Sequence, residues 1–203
     1  MSKKIKKSKH TAVKMSTNKI KLKYYLIITE NLKNHYKPRN RITTMYQIAC
    51  TQFSEATYTD NLRFRETNNI GCIYCSPVPT NEKYSPETYL FVVEMNNTTN
   101  QMMGIGLIKN KRQADRSYLV HDTSNSTCNY NRYIYKGEQR LAREELSEEI
   151  VEIFDKILFK GKSHLKRLRG LSVVTSKVFD RWHYDRTEVL EKVLKAFNIN
   201  NLS

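Results

Sequence analysis

The sequence predicts an α+β domain whose sheet is mainly antiparallel, curled or closed into a small barrel, with helices flanking it. Three observations lead there. TYLFVVEM at 88–95, NNTTN at 96–100 and QMMGIGLIKN at 101–110 read as a strand, a turn-rich connection and a returning strand, which together make a β-hairpin. Further short runs rich in β-branched and aromatic residues flank that hairpin. Two stretches with apolar gaps of three and four are interleaved with them, and strands mixed with helices in this irregular order argue α+β.

Taken in order, LKYYLIIT at 22–29 reads as a buried first strand, and the polar stretch 31–44 is interrupted by Pro38. MYQIACTQF at 45–53 fits a strand or a short helix equally. TDNLRFRE at 59–66 reads as a short helix capped by Thr59 or Asp60. NIGCIYCSPVP at 69–79 is a strand stopped by Pro77 and Pro79. Within the hairpin, Gly104 and Gly106 point to a bulge or a close backbone approach. Residues 111–131 are polar without a sustained period and predict a long loop, followed by a strand around Tyr133–Tyr135. LSEEIVEIFDKILF at 146–159 places Leu146, Ile150, Ile153, Phe154, Ile157 and Leu158 on one helix face, with acids near its start and Lys156 and Lys160 near its end, as the helix dipole favours. LSVV at 171–174 is a strand, and Val189, Leu190, Val193, Leu194 and Phe197 mark a C-terminal helix.

Composition narrows the function. Of 203 residues 39% are apolar and 10% aromatic, enough to build a core, which excludes wholesale disorder. The longest apolar runs fall far short of the ~18 residues of a membrane span, and no secretory leader is read, so the expectation is an intracellular protein with no membrane partner. The net charge is +15, and nine lysines with no acid fall in residues 1–23, leaving +6 for residues 24–203. Residues 1–21 therefore read as a disordered basic arm, with Lys3, Lys4, Lys6 and Lys7 at its head, ahead of one domain at 22–203. Such an arm binds phosphates by counterion release or serves nuclear import. A second acid-free basic run, GKSHLKRLRG at 161–170, lies beyond the helix end, so Lys162, His164, Lys166, Arg167 and Arg169 are candidate nucleic-acid contacts.

Other constellations carry less chemistry. Cys72 and Cys75 have metal-ligand spacing, but Cys50 and Cys128 stand alone, and residues three apart on a strand face opposite ways. Buried free thiols, no metal and no cofactor are expected. The histidines His10, His35, His121, His164 and His183 form no metal-binding pattern, and His121-Asp122 accompanies no nucleophile motif. No catalytic residue is assigned.

Four segments, in order, resemble the PUA-like superfamily and within it the EVE-type domain: KYYL at 23–26, GCIYCS at 71–76, GIGLI at 104–108 and RGLSVVTSKVFDRW at 169–182. At the place where that family carries a W-D-G-V-x-N-Y segment, this chain has TQFSEATYTDNLRFR at 51–65. The resemblance implies a curled sheet with a pocket for one nucleobase, often modified. By motif position it makes Tyr74 and Ser76 pocket residues, joined by Tyr58 and Asn61, and it puts Trp182, the only tryptophan, in a packing helix. The expected function is a non-catalytic nucleic-acid-binding protein, DNA or RNA, that reads a base. The rival is a small basic structural or genome-packaging protein of a large DNA virus, binding by charge alone. The corresponding locations are the nucleus for the first and a viral factory or virion for the second.

Overall fold

The computed structural model describes residues 41–80, 83–113, 118–121, 130–162 and 164–199. The described residues all belong to one compact unit that begins at Arg41. The basic arm with Lys3, Lys4, Lys6 and Lys7, the strand expected at 22–29, and His10, His35, Asp122 and Cys128 lie outside the described residues.

The described fold opens with a short helix α1, Arg41–Met45, and a strand β1, Tyr46–Phe53. The segment left open between strand and helix is thus mostly strand. Its ambiguity has a cause: all but one of the β1 residues are buried, so inward and outward positions do not alternate between apolar and polar. Helix α2 follows at Glu55–Asn68. It starts five or six residues earlier than expected because Ser54, in place of Thr59 or Asp60, is the cap. The Ser54 hydroxyl accepts from Thr57 N–H at 3.3 Å, and the Thr57 hydroxyl accepts from Ser54 N–H at 2.9 Å. The buried residues of α2 are Asn61 and Arg65, which are polar, so no apolar period announced its length.

Strand β2 (Cys72–Ser76) precedes the hairpin β3 (Tyr89–Asn96) and β4 (Gln101–Lys109). Then come β5 (Tyr133–Gly137), β6 (Gln139–Ala142), helix α3 (Glu148–Phe159), the two-residue β7 (Ser172–Val173), α4 (Ser176–Asp180) and α5 (Arg186–Ala196). Two sheets result: a five-stranded sheet ordered β6-β4-β3-β1-β7 and a two-stranded sheet β2-β5. Every pairing is antiparallel except β1 with β3, which run parallel because the chain between them crosses over through α2 and β2. The protein is therefore α+β with a mixed sheet. The barrel form of the expectation is corrected for the described residues: among them the pairing ends at β6 and β7, and the sheet does not close.

The five-stranded sheet is buried on both faces. One face sets Ile48, Cys50, Phe91, Val93, Met95, Met102 and Ile105 against the apolar stripes of α3 and α5. Each such side chain fully removed from water contributes about 1.5–3 kcal/mol. The other face sets Ala49, Phe53, Leu90, Val92 and Ile108 against Cys72, Tyr74 and Tyr135 of the small sheet. A bulge divides the two environments on β4. Glu94 pairs with Gly104 and Met95 with Met102, leaving Met103 as the extra residue. Asp155 accepts from Met102 N–H at 2.8 Å, Arg143 donates to Met102 O at 2.9 Å, and the two side chains pair at 2.8 Å, fastening the bulge to α3.

The close approach expected at Gly106 is present. A Cβ there would lie 2.0 Å from Tyr74 Oη and 2.8 Å from the Cys72 side chain. The inward face of β4 is bare at this point so that the small sheet can lie against it.

Candidate functional site

The residues expected to form a base pocket are mostly structural. Tyr74 has no exposed surface. Its ring lies in the core between the sheets, and its hydroxyl donates to Glu94 Oε1 at 2.9 Å. Burial, and then the Glu94 charge, hold the Tyr74 phenol well above its ordinary pKa, so it stays a neutral donor. Ser76 is also fully buried: its hydroxyl donates to Val78 O and accepts from Leu171 N–H at 3.4 Å, tying the end of β2 to the start of β7. Gly170, at φ +63°, passes so close that a Cβ would meet Ser76 Oγ at 2.0 Å. Asn61 is buried and spans α2 and β2, donating to Ile73 O at 2.7 Å and accepting from Arg65 Nε at 3.0 Å. The expectation that these three face a ligand is corrected. Motif position in the PUA-like resemblance pointed to Tyr74 and Ser76, but it could not tell that the larger sheet and the Leu171 segment cover them.

Tyr58 is placed differently. It is half-buried, sets its ring edge-on to Phe53 with centroids 5.8 Å apart, and receives Arg140 Nη2 on its hydroxyl at 3.3 Å. Arg140 in turn grips Glu94 with Nε–Oε1 at 3.0 Å and Nη2–Oε2 at 2.6 Å, the carboxylate being wholly buried. Burial alone opposes charge on Arg140, yet the Glu94 hydrogen bonds and attraction outweigh it and raise its pKa.

Beyond Phe53 a cavity of about 480 Å³ opens. Several segments meet there. The end of β1 gives Thr51, Gln52 and Phe53, and the first turn of α2 gives Ser54 and Thr57. The β3–β4 turn gives Asn97 and Thr98, while Cys75, His121 and Tyr130 close the wall. The basic loop contributes Lys166. Sequence-distant hydrogen bonds hold these parts together. Asn97 N–H donates to Phe53 O at 2.9 Å, and Glu55 N–H donates to Thr98 Oγ1 at 3.3 Å. The Asn97 amide group donates both to Gln52 Oε1 at 2.7 Å and to Lys166 O at 3.1 Å. Lys166 Nζ donates to Asn100 Oδ1. The expected basic loop is thus stitched to the cavity rim through Lys166. Lys162, Arg167 and Arg169 are exposed along the same loop, and His164 is half-buried with its Nδ1 buried and unpartnered.

Two polar atoms of the wall stand out: Asn97 Oδ1 and His121 Nδ1 are both buried without a hydrogen-bond partner. His121 is 6% exposed, and its backbone is clamped by the Asn131 side chain, which accepts at 3.2 Å and donates at 2.8 Å. Burial lowers the His121 pKa, against the attraction of Asp60, and leaves the ring neutral at pH 7. The ring lies 6.2 Å from that of Phe53, centroid to centroid. Burial pushes the Cys75 thiol up to about 12, so it is a wall atom and no nucleophile at neutral pH. Cys72 and Cys75 belong to different clusters on opposite sides of β2, and among the described residues no group of three metal-ligating side chains occurs.

Asn97 and His121 were in view in the sequence only as a turn residue and a loop residue. Nothing local marked them, because the cavity exists only once the segments meet. Trp182 is half-buried against the helix-side core, with Lys156 Nζ 5.7 Å from its ring centroid. A broader trough of about 1300 Å³ lies at the other end of β4, beside the C-terminus of α2. Its lining mixes Arg65, Lys109, Lys111 and Lys136 with Glu66 and Glu138, and the carbonyl end of a helix disfavours anions. The smaller cavity is the better-defined site.

No family model, curated protein or solved structure matches this chain. Among the described residues, no helix is long and apolar enough to cross a membrane.

Proposed function

We propose that this protein binds nucleic acid without catalysis, seating one base in the cavity beside Phe53 and His121 while the basic loop holds the neighbouring phosphates. One observation carries the reading: the loop's Lys166 is hydrogen-bonded into the rim of a cavity that has aromatic and polar walls. A pocket of this size suits one unstacked base, which needs ring faces and a few fixed polar atoms. Phosphate contacts from Lys162, Lys166, Arg167 and Arg169 position a strand, and the pocket supplies preference. The nine lysines of residues 1–23 extend the same electrostatics.

Binding of single-stranded oligonucleotides that differ at one central base, measured by anisotropy over a salt series, tests this. The wild type is expected to prefer some bases. Changing Lys166 and Arg167 to Ala should weaken all ligands alike, and deleting residues 1–19, with seven lysines, should flatten the salt slope by up to ~0.7–0.9 per lost phosphate contact. A wild type that binds every base equally would replace this reading with the packaging one, in which charge alone holds the nucleic acid.

A further inference from the structure

The hydrogen-bonding pattern of the cavity narrows the ligand further, given the base-binding reading above. Ordinarily an asparagine amide can rotate to offer either its donor or its acceptor. Asn97 cannot. Its Nδ2 donates to Lys166 O at 3.1 Å, a backbone carbonyl that can only accept, and to Gln52 Oε1 at 2.7 Å. Turning the amide over would set Oδ1 against the Lys166 carbonyl oxygen and lose that hydrogen bond. The remaining atom, Oδ1, is therefore left as an acceptor; it is buried with no partner, and its residue lines the cavity. A buried acceptor left unpaired is costly, and a ligand that brings it an N–H removes that cost.

We propose that the cavity selects bases with an exocyclic amino group, which donates to Asn97 Oδ1. Adenine, cytosine and guanine have one. Uracil and thymine offer only an imide N–H flanked by two carbonyl oxygens, and these would crowd the same acceptor with like partial charge. His121 supplies the second unpaired atom of the wall. Its neutral imidazole can meet a ring nitrogen as donor or acceptor, so Asn97 is the residue that discriminates.

The test removes the amino group from the ligand and leaves the protein intact. Oligonucleotides carry one central adenine, cytosine or guanine, or the matching analogue without the amino group: purine, pyrimidin-2-one or hypoxanthine. For the preferred base, wild-type affinity should fall about tenfold to a hundredfold on losing the amino group. In Asn97→Ala, shown to be folded by its melting temperature, the same deletion should change affinity by less than about twofold, the signature of a direct pair in a double-mutant cycle. Equal binding of parent and analogue by the wild type overturns the proposal, as does a preference for uracil or thymine; in either case a surviving base preference leaves the pocket reading standing. No preference among any bases removes both.

Discussion

The two faces of the five-stranded sheet are built from different chemistry. Toward α3 and α5 the sheet packs into a large apolar cluster, with Phe91, Val93 and Ile105 of the sheet and Phe154 of α3 out of water. Toward β2 and β5 the same strands bury a carboxylate and a guanidinium, Glu94 and Arg140, together with the Tyr74 hydroxyl. The apolar face gains stability without fixing any direction. The polar face fixes directions: Arg140 reaches Tyr58, Tyr58 abuts Phe53, and Phe53 is a wall of the cavity. The difference teaches a division of labour, in which one side of the sheet holds the protein together and the other holds the site in shape.

The largest effects should come from breaking each face in turn. Phe154→Ala on the helix side should cost about 3–5 kcal/mol in urea unfolding, with base preference unchanged in the protein that remains folded. Glu94→Ala on the inner side should cost a similar ~3–5 kcal/mol, because Arg140 would be left without its carboxylate. Here the surviving protein should also lose base preference as Phe53 and Tyr58 loosen. Replacing both partners, Glu94→Leu with Arg140→Met, should cost less than the two single changes added together. A loss under about 1 kcal/mol for Glu94→Ala would mean that the ion pair is structurally idle, and the contrast between the faces would fall.

A smaller effect is expected at the seam between the sheets. Gly106→Ala would drive a methyl into Tyr74 Oη and the Cys72 side chain, atoms held in a packed core. Overpacking of this kind costs about 1–3 kcal/mol. On the other side of the same strand, Ile105→Val should cost about 0.5–1.5 kcal/mol. If Gly106→Ala proves neutral by thermal melting, the small sheet is free to move away and does not clamp the inner face.

The apolar face was legible in the sequence and the polar face was not. The stripes of α3 and α5 repeat at three and four residues, and the β3–β4 hairpin shows two apolar runs around a turn. Such signals are local. Helix α2 buries Asn61 and Arg65, so periodicity gave it a late start at 59. Tyr74 was rightly placed on a strand, yet which of its faces is covered depends on β4 and β5, far along the chain. The glycines of GIGLI did announce a close approach, because absence of a side chain is itself a local signal. The cavity draws on β1, α2, a turn, residue 121 and the basic loop. Only the basic loop had declared itself, through charge.

The smallest expected effect concerns pH, and it separates the cavity wall from both cores. Buried His121 has its pKa lowered from 6.5, with desolvation as the main cause and Asp60 in opposition. The unfolded chain therefore binds a proton more readily than the folded one. Stability from this residue is fully present above the unfolded value near 6.5 and is lost as pH falls from there toward the lower folded value. Melting temperatures taken from pH 7.5 down to 5.5 should decline in the wild type before carboxylates begin to titrate. His121→Gln keeps a polar side chain that takes up no proton in this range, so its decline over the same interval should be shallower. Base binding should weaken together with the wild-type decline, since a protonated ring must leave or reorganise the wall it shares with Phe53. Parallel curves for wild type and His121→Gln would show that His121 is not buried neutral, and the cavity wall would then have to be redrawn without it.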